Sequence, residues 1–81
     1  MEIEFDPDKE AANLAKHGIS LKRAASISIV ASRRVVRNGE PRLKAMGYID
    51  GQLYAMVCVF RPNSVRVISL RRARPEELDR E

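Results

Sequence analysis

The chain has no tryptophan, one cysteine, one histidine and an aromatic content of only 5%. Each scarcity closes off a class of function. So few rings cannot build a row of stacking platforms for single-stranded nucleic acid. A lone cysteine allows no internal disulfide, which fits a reducing compartment. That residue, Cys58, sits in the apolar run Tyr54-Ala55-Met56-Val57-Cys58-Val59-Phe60 and reads as a buried structural thiol. The four glycines, Gly18, Gly39, Gly47 and Gly51, are scattered and form no phosphate-cradling loop. His17 has no partner at a metal-ligand spacing and the carboxylates are dispersed, so no metal and no cofactor is expected. Ser20, Ser26 and Ser69 lack a nearby His–carboxylate arrangement, which leaves nucleophilic serine chemistry unsupported. No apolar run approaches the roughly 20 residues that a membrane helix needs. The acidic start Met1-Glu2-Ile3-Glu4-Phe5-Asp6, broken by Pro7, does not resemble a secretory signal. The expectation is a cytoplasmic protein with no membrane association.

What the chain does have is positive charge. Fifteen Lys and Arg against eleven Asp and Glu give a net charge of +4 over 81 residues. The partners expected of such a chain are anionic. A 44% hydrophobic content suits one globular domain spanning residues 1–81 with a modest core.

The organising stretch is Val65-Arg66-Val67-Ile68-Ser69-Leu70-Arg71-Arg72-Ala73-Arg74. Its aliphatic residues read as a buried strand. Its arginines keep their charge at any working pH and present a planar fork that fits phosphate. One reading is a rigid platform for phosphate; the other is a central strand with a solvated basic exit. The platform reading requires that the arginines be neither splayed apart nor each tied to an acidic neighbour.

Ahead of this stretch, Glu2 to Phe5 alternates as a short strand. Asp6-Pro7-Asp8 caps a helix that runs to His17 and stops at Gly18. Ser20 caps a second, short helix from Leu21 to about Ile27, beyond which Ile29-Val30-Ala31 fits either helix end or strand. Val35-Val36-Arg37, Arg42 to Ile49 and Leu53 to Phe60 read as strands, with hairpin turns at Asn38-Gly39 and Asp50-Gly51. Pro75-Glu76-Glu77 opens a short C-terminal helix. The expected fold is α+β: a short N-terminal strand and two helices packed on a four-stranded antiparallel sheet. Its open face is expected to carry Arg42, Lys44 and either Arg66 or Arg71.

Glu4-Phe5-Asp6-Pro7 with Asn13, Lys16-His17-Gly18-Ile19-Ser20, Glu40 with Arg42, Gly47, and Arg66-Val67-Ile68-Ser69-Leu70-Arg71-Arg72-Ala73 with Glu76 occur in an order and spacing that resemble the BrnT family of type II toxins. The resemblance covers roughly residues 3 to 77. It implies a fold like that of RelE and ParE toxins and an endoribonuclease that inhibits translation. It also implies a BrnA-like ribbon-helix-helix antitoxin as partner, with operator DNA bound only through the antitoxin complex. The chain departs from the pattern at Ser26-Ile27-Ser28-Ile29-Val30-Ala31-Ser32, where no carboxylate occurs.

Cleavage of RNA by its own 2′-hydroxyl needs a proton acceptor, a proton donor and positive charge on the transition state. Without a metal cluster, side chains must supply all three. His17, Arg66 and Arg71 are the catalytic candidates; Lys16, Arg42, Lys44 and Arg72 are the candidate RNA contacts. Histidine is the residue type most used for acid–base work near neutral pH, yet His17, as the last residue of a helix, equally serves as a capping cation. Arg66 equally forms a salt bridge to Glu40 or Asp50. Glu76 reads as a cap on the terminal helix, and Tyr48 and Tyr54 as packing residues. The exposed apolar residues Ile29 and Val30 are candidates for the antitoxin-facing surface. The alternative to an active ribonuclease is a non-catalytic basic partner subunit, a degenerate toxin within a DNA-binding autoregulatory complex. No Arg-, Asn- or Gln-rich recognition helix is evident for direct base readout.

Overall fold

The computed structural model describes residues 2–80. In chain order it holds β1 (Ile3–Glu4), α1 (Pro7–His17), a 3-10 helix (Leu21–Ser26), β2 (Ser28–Arg37), β3 (Glu40–Ile49), β4 (Gln52–Phe60), β5 (Val65–Arg72) and a C-terminal 3-10 helix (Pro75–Arg80). The strands form one sheet in the order β1-β5-β4-β3-β2. This corrects the expectation of four antiparallel strands with the first strand apart. The fold is α+β, but the sheet has five strands and is mixed. β1 joins it parallel to β5, with Ile3 opposite Val65 and Glu4 opposite Arg66. Alternation at Ile3 and Phe5 identifies a strand but says nothing about which edge it will pair with.

Local chemistry accounts for most boundaries. Asp6 caps α1 by accepting the Asp8 N–H at 2.8 Å. Gly18 closes the helix in the left-handed region, φ 70°, where a side chain would be strained. Asn38-Gly39 and Asp50-Gly51 both have positive φ, as a two-residue turn matched to strand twist requires. Ser20 caps the next segment as expected, accepting the Lys22 N–H at 3.2 Å. That short helix, expected from Leu21 to about Ile27, is a 3-10 helix over Leu21–Ser26. The ambiguous Ile29-Val30-Ala31 belongs to β2, with a bulge between Ile29 and Ala31. Gly47 of β3 lies under that bulge. A Cβ there would stand 2.8 Å from Ile27 Cγ1 and closer still to the Ser28 carbonyl oxygen.

One sheet face is covered. Ile19, Leu21 and Ala24 pack onto Ala45, Tyr54, Met56, Cys58, Val67 and Leu70. On the opposite face a small cluster of Met46, Leu53, Ala55 and Ala73 lies under Leu78 of the C-terminal 3-10 helix.

The helices do not both pack on one face, as expected. α1 buries only Asn13, and its Leu14 is 46% exposed. The helix lies instead along the outer edge of β5, where β1 has ended. Asn13 replaces the missing strand. Its Nδ2 donates to the Leu70 and Ile19 carbonyls at 2.8 and 2.9 Å, and its Oδ1 accepts the Leu70 N–H at 3.1 Å. One side-chain amide thus acts as a peptide unit and fixes α1 beside β5.

Candidate functional site

Strand β5 positions the site through an irregularity. Val67 pairs with Cys58, but Ser69 pairs with Val57, so Ile68 is an extra residue in the strand. In a regular strand Arg66 and Arg71, five positions apart, would point to opposite faces. The extra residue resets the alternation. Val65, Val67 and Leu70 keep to the core, while Arg66 and Arg71 both turn to the open face. The expectation of one or the other arginine thus becomes both.

Pairing across the sheet then sets out three rows. Arg71 lies in line with Ala55 and Met46, and Ser69 with Val57, Lys44 and Arg33; in the third row Arg66 pairs with Val59 and Arg42 with Val35, one position beyond the Leu43–Cys58 pair. Adjacent rows are two residues apart, so Arg66 and Arg71 stand about 13 Å apart along the strand. α1 forms the near wall and β2 the far wall. Between them runs a groove of about 670 Å³, lined by Lys9, Lys16, Arg33, Arg37, Arg42, Lys44 and Arg71, by His17, Asn13 and Ser69, and, among the described residues, by no carboxylate. A smaller pocket of about 140 Å³ continues from it past Arg42, Lys9 and Ile68 to Arg66, with Asp6 and Glu40 on its walls.

Of the candidates read from sequence, His17, Lys16, Arg42, Lys44 and Arg71 therefore line one groove. Arg66 does not; it lies at the far end, with Arg42 shared between the two pockets. Arg72 lines neither and pairs opposite the buried Tyr54, on the covered face of the sheet. Lys9, Arg33 and Arg37 were not anticipated. A signal existed for the last two: a two-residue turn at Asn38-Gly39 fixes Arg37 opposite Glu40, Val35 opposite Arg42 and Arg33 opposite Lys44.

The arginines are not free of acidic neighbours. Arg42 Nε donates to Glu40 Oε1 at 3.1 Å. Arg66 stands 3.8 Å from both Glu4 and Asp6, not beside Glu40 or Asp50; Asp50 pairs with Arg23 at 3.2 Å. Arg71 holds Glu77 with two hydrogen bonds, 2.8 and 3.3 Å. A platform of unpaired arginines is thus replaced by paired ones that differ in grip. The Arg66 contacts are too long for hydrogen bonds, and the Arg42 pair uses a single donor beside an exposed Glu40. Of these three, Arg71 alone is clamped by both carboxylate oxygens. Its guanidinium, together with the Arg74 N–H, holds the Glu77 carboxyl down at about 2. Glu77, not Glu76, also caps the terminal helix, accepting the Arg74 N–H at 2.9 Å.

Among the described residues no group of three His, Cys, Asp or Glu could hold a metal ion, and no helix is long and apolar enough to cross a membrane. Burial pushes the Cys58 thiol pKa up, so the thiol is a poor nucleophile.

Residues 5–77 match the family model of the ribonuclease toxin BrnT of type II toxin–antitoxin systems. The chain belongs to the BrnT family. The crystal structure of the Brucella abortus ribonuclease toxin BrnT is similar to it, with a TM-score of 0.63 at 26% sequence identity, covering 91% of this chain and 97% of that one. No curated protein matches the sequence. The BrnT assignment makes the chain a ribonuclease toxin with an antitoxin as partner. The groove lined by cations and one histidine is the feature of this fold suited to a polyanionic substrate.

Proposed function

We propose that this BrnT-family toxin cuts RNA in the groove between α1 and β2, without a metal ion, and so inhibits translation. The observation that carries the reading is that His17 and Arg71 line the same groove, which among the described residues contains seven Lys or Arg side chains and no carboxylate. Two separate devices bring them there: the Asn13 clamp on Leu70 and the extra residue Ile68. His17 takes the proton from the ribose 2′-hydroxyl. The freed oxygen attacks the adjacent phosphorus, the bond to the 5′-oxygen breaks, and that oxygen leaves as a hydroxyl by taking the proton back from His17. Arg71 faces the negative charge that builds on the phosphoryl oxygens, where a preorganised cation is worth most. Lys16, Lys44 and Arg42 hold the flanking phosphates, with Arg66 one step beyond. A BrnA-like ribbon-helix-helix antitoxin neutralises the toxin and carries it to operator DNA. The exposed Ile29 and Val30 near the start of β2 offer that antitoxin an apolar contact.

Incubation of the purified chain with RNA in the presence of a chelator tests this. Discrete cuts ending in 2′,3′-cyclic phosphate and 5′-hydroxyl are expected. Cuts that require a divalent ion, or that leave 5′-phosphate, contradict it. The second reading, a degenerate toxin retained to hold its antitoxin, draws on the carboxylate partners of Arg42, Arg66 and Arg71. It predicts antitoxin binding without any cuts.

A further inference from the structure

Glu77 poses a problem for the groove. The arginine best placed to meet a phosphate already holds a carboxylate, in a part-buried pair whose side chains are 38% and 23% exposed. Counting donors resolves it. A guanidinium has five N–H groups arranged as two forks. Arg71 Nη1 donates to Glu77 Oε2 at 3.3 Å and to the Arg72 carbonyl at 3.2 Å, and Nη2 donates to Glu77 Oε1 at 2.8 Å. These contacts use the end-on fork. The Nε–H and the second Nη2 hydrogen meet no acceptor among the described residues. They form the side-on fork, which remains able to grip two oxygens of one phosphate while the end-on fork is occupied.

Glu77 is itself held. Its Oε2 accepts the Arg74 N–H at 2.9 Å, at the start of the C-terminal 3-10 helix. The next residue, Leu78, plugs that helix onto Met46, Leu53, Ala55 and Ala73. The carboxylate is therefore anchored by an apolar contact one residue away, and stays charged far below neutral pH. A fixed acceptor behind an arginine removes side-chain freedom that RNA binding would otherwise have to remove.

We propose that Glu77 is a positioning residue: it grips the end-on fork of Arg71 so that the side-on fork faces a phosphodiester in the groove. This rests on the reading of the groove as the site of RNA cleavage. Glu77 touches no substrate and acts only through Arg71.

The test uses the full chain, a short labelled RNA of mixed sequence that the wild type cuts, and its uncleavable 2′-O-methyl counterpart. Glu77→Gln is expected to bind the uncleavable RNA at least as tightly as wild type, since a negative charge beside the groove is removed. At saturating RNA it is expected to cut at least 10-fold more slowly. Mere loss of folding would weaken both, and the thermal midpoint is measured alongside. Arg71→Ala and the Arg71→Ala/Glu77→Gln double variant are expected to cut at the same rate, because Glu77 has nothing left to position. A Glu77→Gln chain that cuts as fast as wild type, or faster, overturns the proposal and makes the pair an inhibitory lock or an idle contact. A further loss from Glu77→Gln in the Arg71→Ala background also overturns it, in favour of a structural role. Arg71→Ala cutting like wild type is a different failure: it removes the reading of the groove on which the proposal stands.

Discussion

Replacing Asn13 with alanine should cost this protein a large share of its stability. Asn13 is only 4% exposed and makes three hydrogen bonds, all to backbone groups. A net contribution near 1 kcal/mol per bond gives about 3 kcal/mol, and the stranded Leu70 N–H and Leu70 and Ile19 carbonyls push it upward unless water reaches them. Small domains have roughly 5–15 kcal/mol in total. For a chain of this length the loss corresponds to a fall in melting temperature of about 12–24 °C. Urea unfolding of Asn13→Ala and wild type measures it, the midpoint shifting at constant slope. Leu14→Ala, on the same helix but 46% exposed, should change stability by less than about 1 kcal/mol. A loss below about 0.5 kcal/mol for Asn13→Ala would refute the role of this amide as a substitute strand. Because α1 carries His17 and Lys16, the same variant should also cut RNA more slowly under conditions where it remains folded.

Two further outcomes follow from the structure. Gly47→Ala should destabilise by about 2–3 kcal/mol, because its Cβ would press on the Ser28 carbonyl and on Ile27 Cγ1; a melting temperature within about 2 °C of wild type would contradict this. Glu77 gives a pH dependence whose sign is fixed. Its carboxyl is lowered from 4.5 to about 2 in the folded chain, so the folded state favours the charged form. The stabilisation is complete above pH 4.5 and is lost as pH falls through about 2. The stability gap between wild type and Glu77→Gln, followed by thermal unfolding, should therefore shrink between those limits. A gap that stays constant or widens on acidification would show that Glu77 does not stabilise through its charge.

The sequence was most legible where the chemistry is local. The caps at Asp6 and Gly18 bound α1, the two turns with positive φ bound their hairpins, and alternation placed Arg42 and Lys44 opposite Leu43 and Ala45. Each of these depends on residues within a few positions of one another. What stayed hidden needed partners distant in sequence. The parallel pairing of β1 joins Ile3 to Val65, and the Asn13 clamp spans 57 residues to Leu70. The bulge left a trace, since the core positions Val65, Val67 and Leu70 break strict alternation. That run also fits a strand buried on both faces, and so concealed the extra residue. Glu77 was passed over for Glu76, although a carboxylate three residues after Arg74 is the spacing that reaches back to a helix's first N–H. The groove's basic character was visible in composition; its far wall, Arg33 and Arg37, required following the Asn38-Gly39 register outward.

The geometry separates two arginines that sequence alone treats alike. Arg71 shares a groove with His17, whereas Arg66 lies about 13 Å away along β5. Single-turnover cleavage by Arg71→Ala and Arg66→Ala, over a range of RNA concentrations, tests this division most directly. The account predicts that Arg71→Ala lowers the rate at saturating RNA by about 10²- to 10³-fold, while Arg66→Ala chiefly raises the RNA concentration needed for half-maximal rate. The reverse pattern, or equal and purely binding effects of the two, would contradict it.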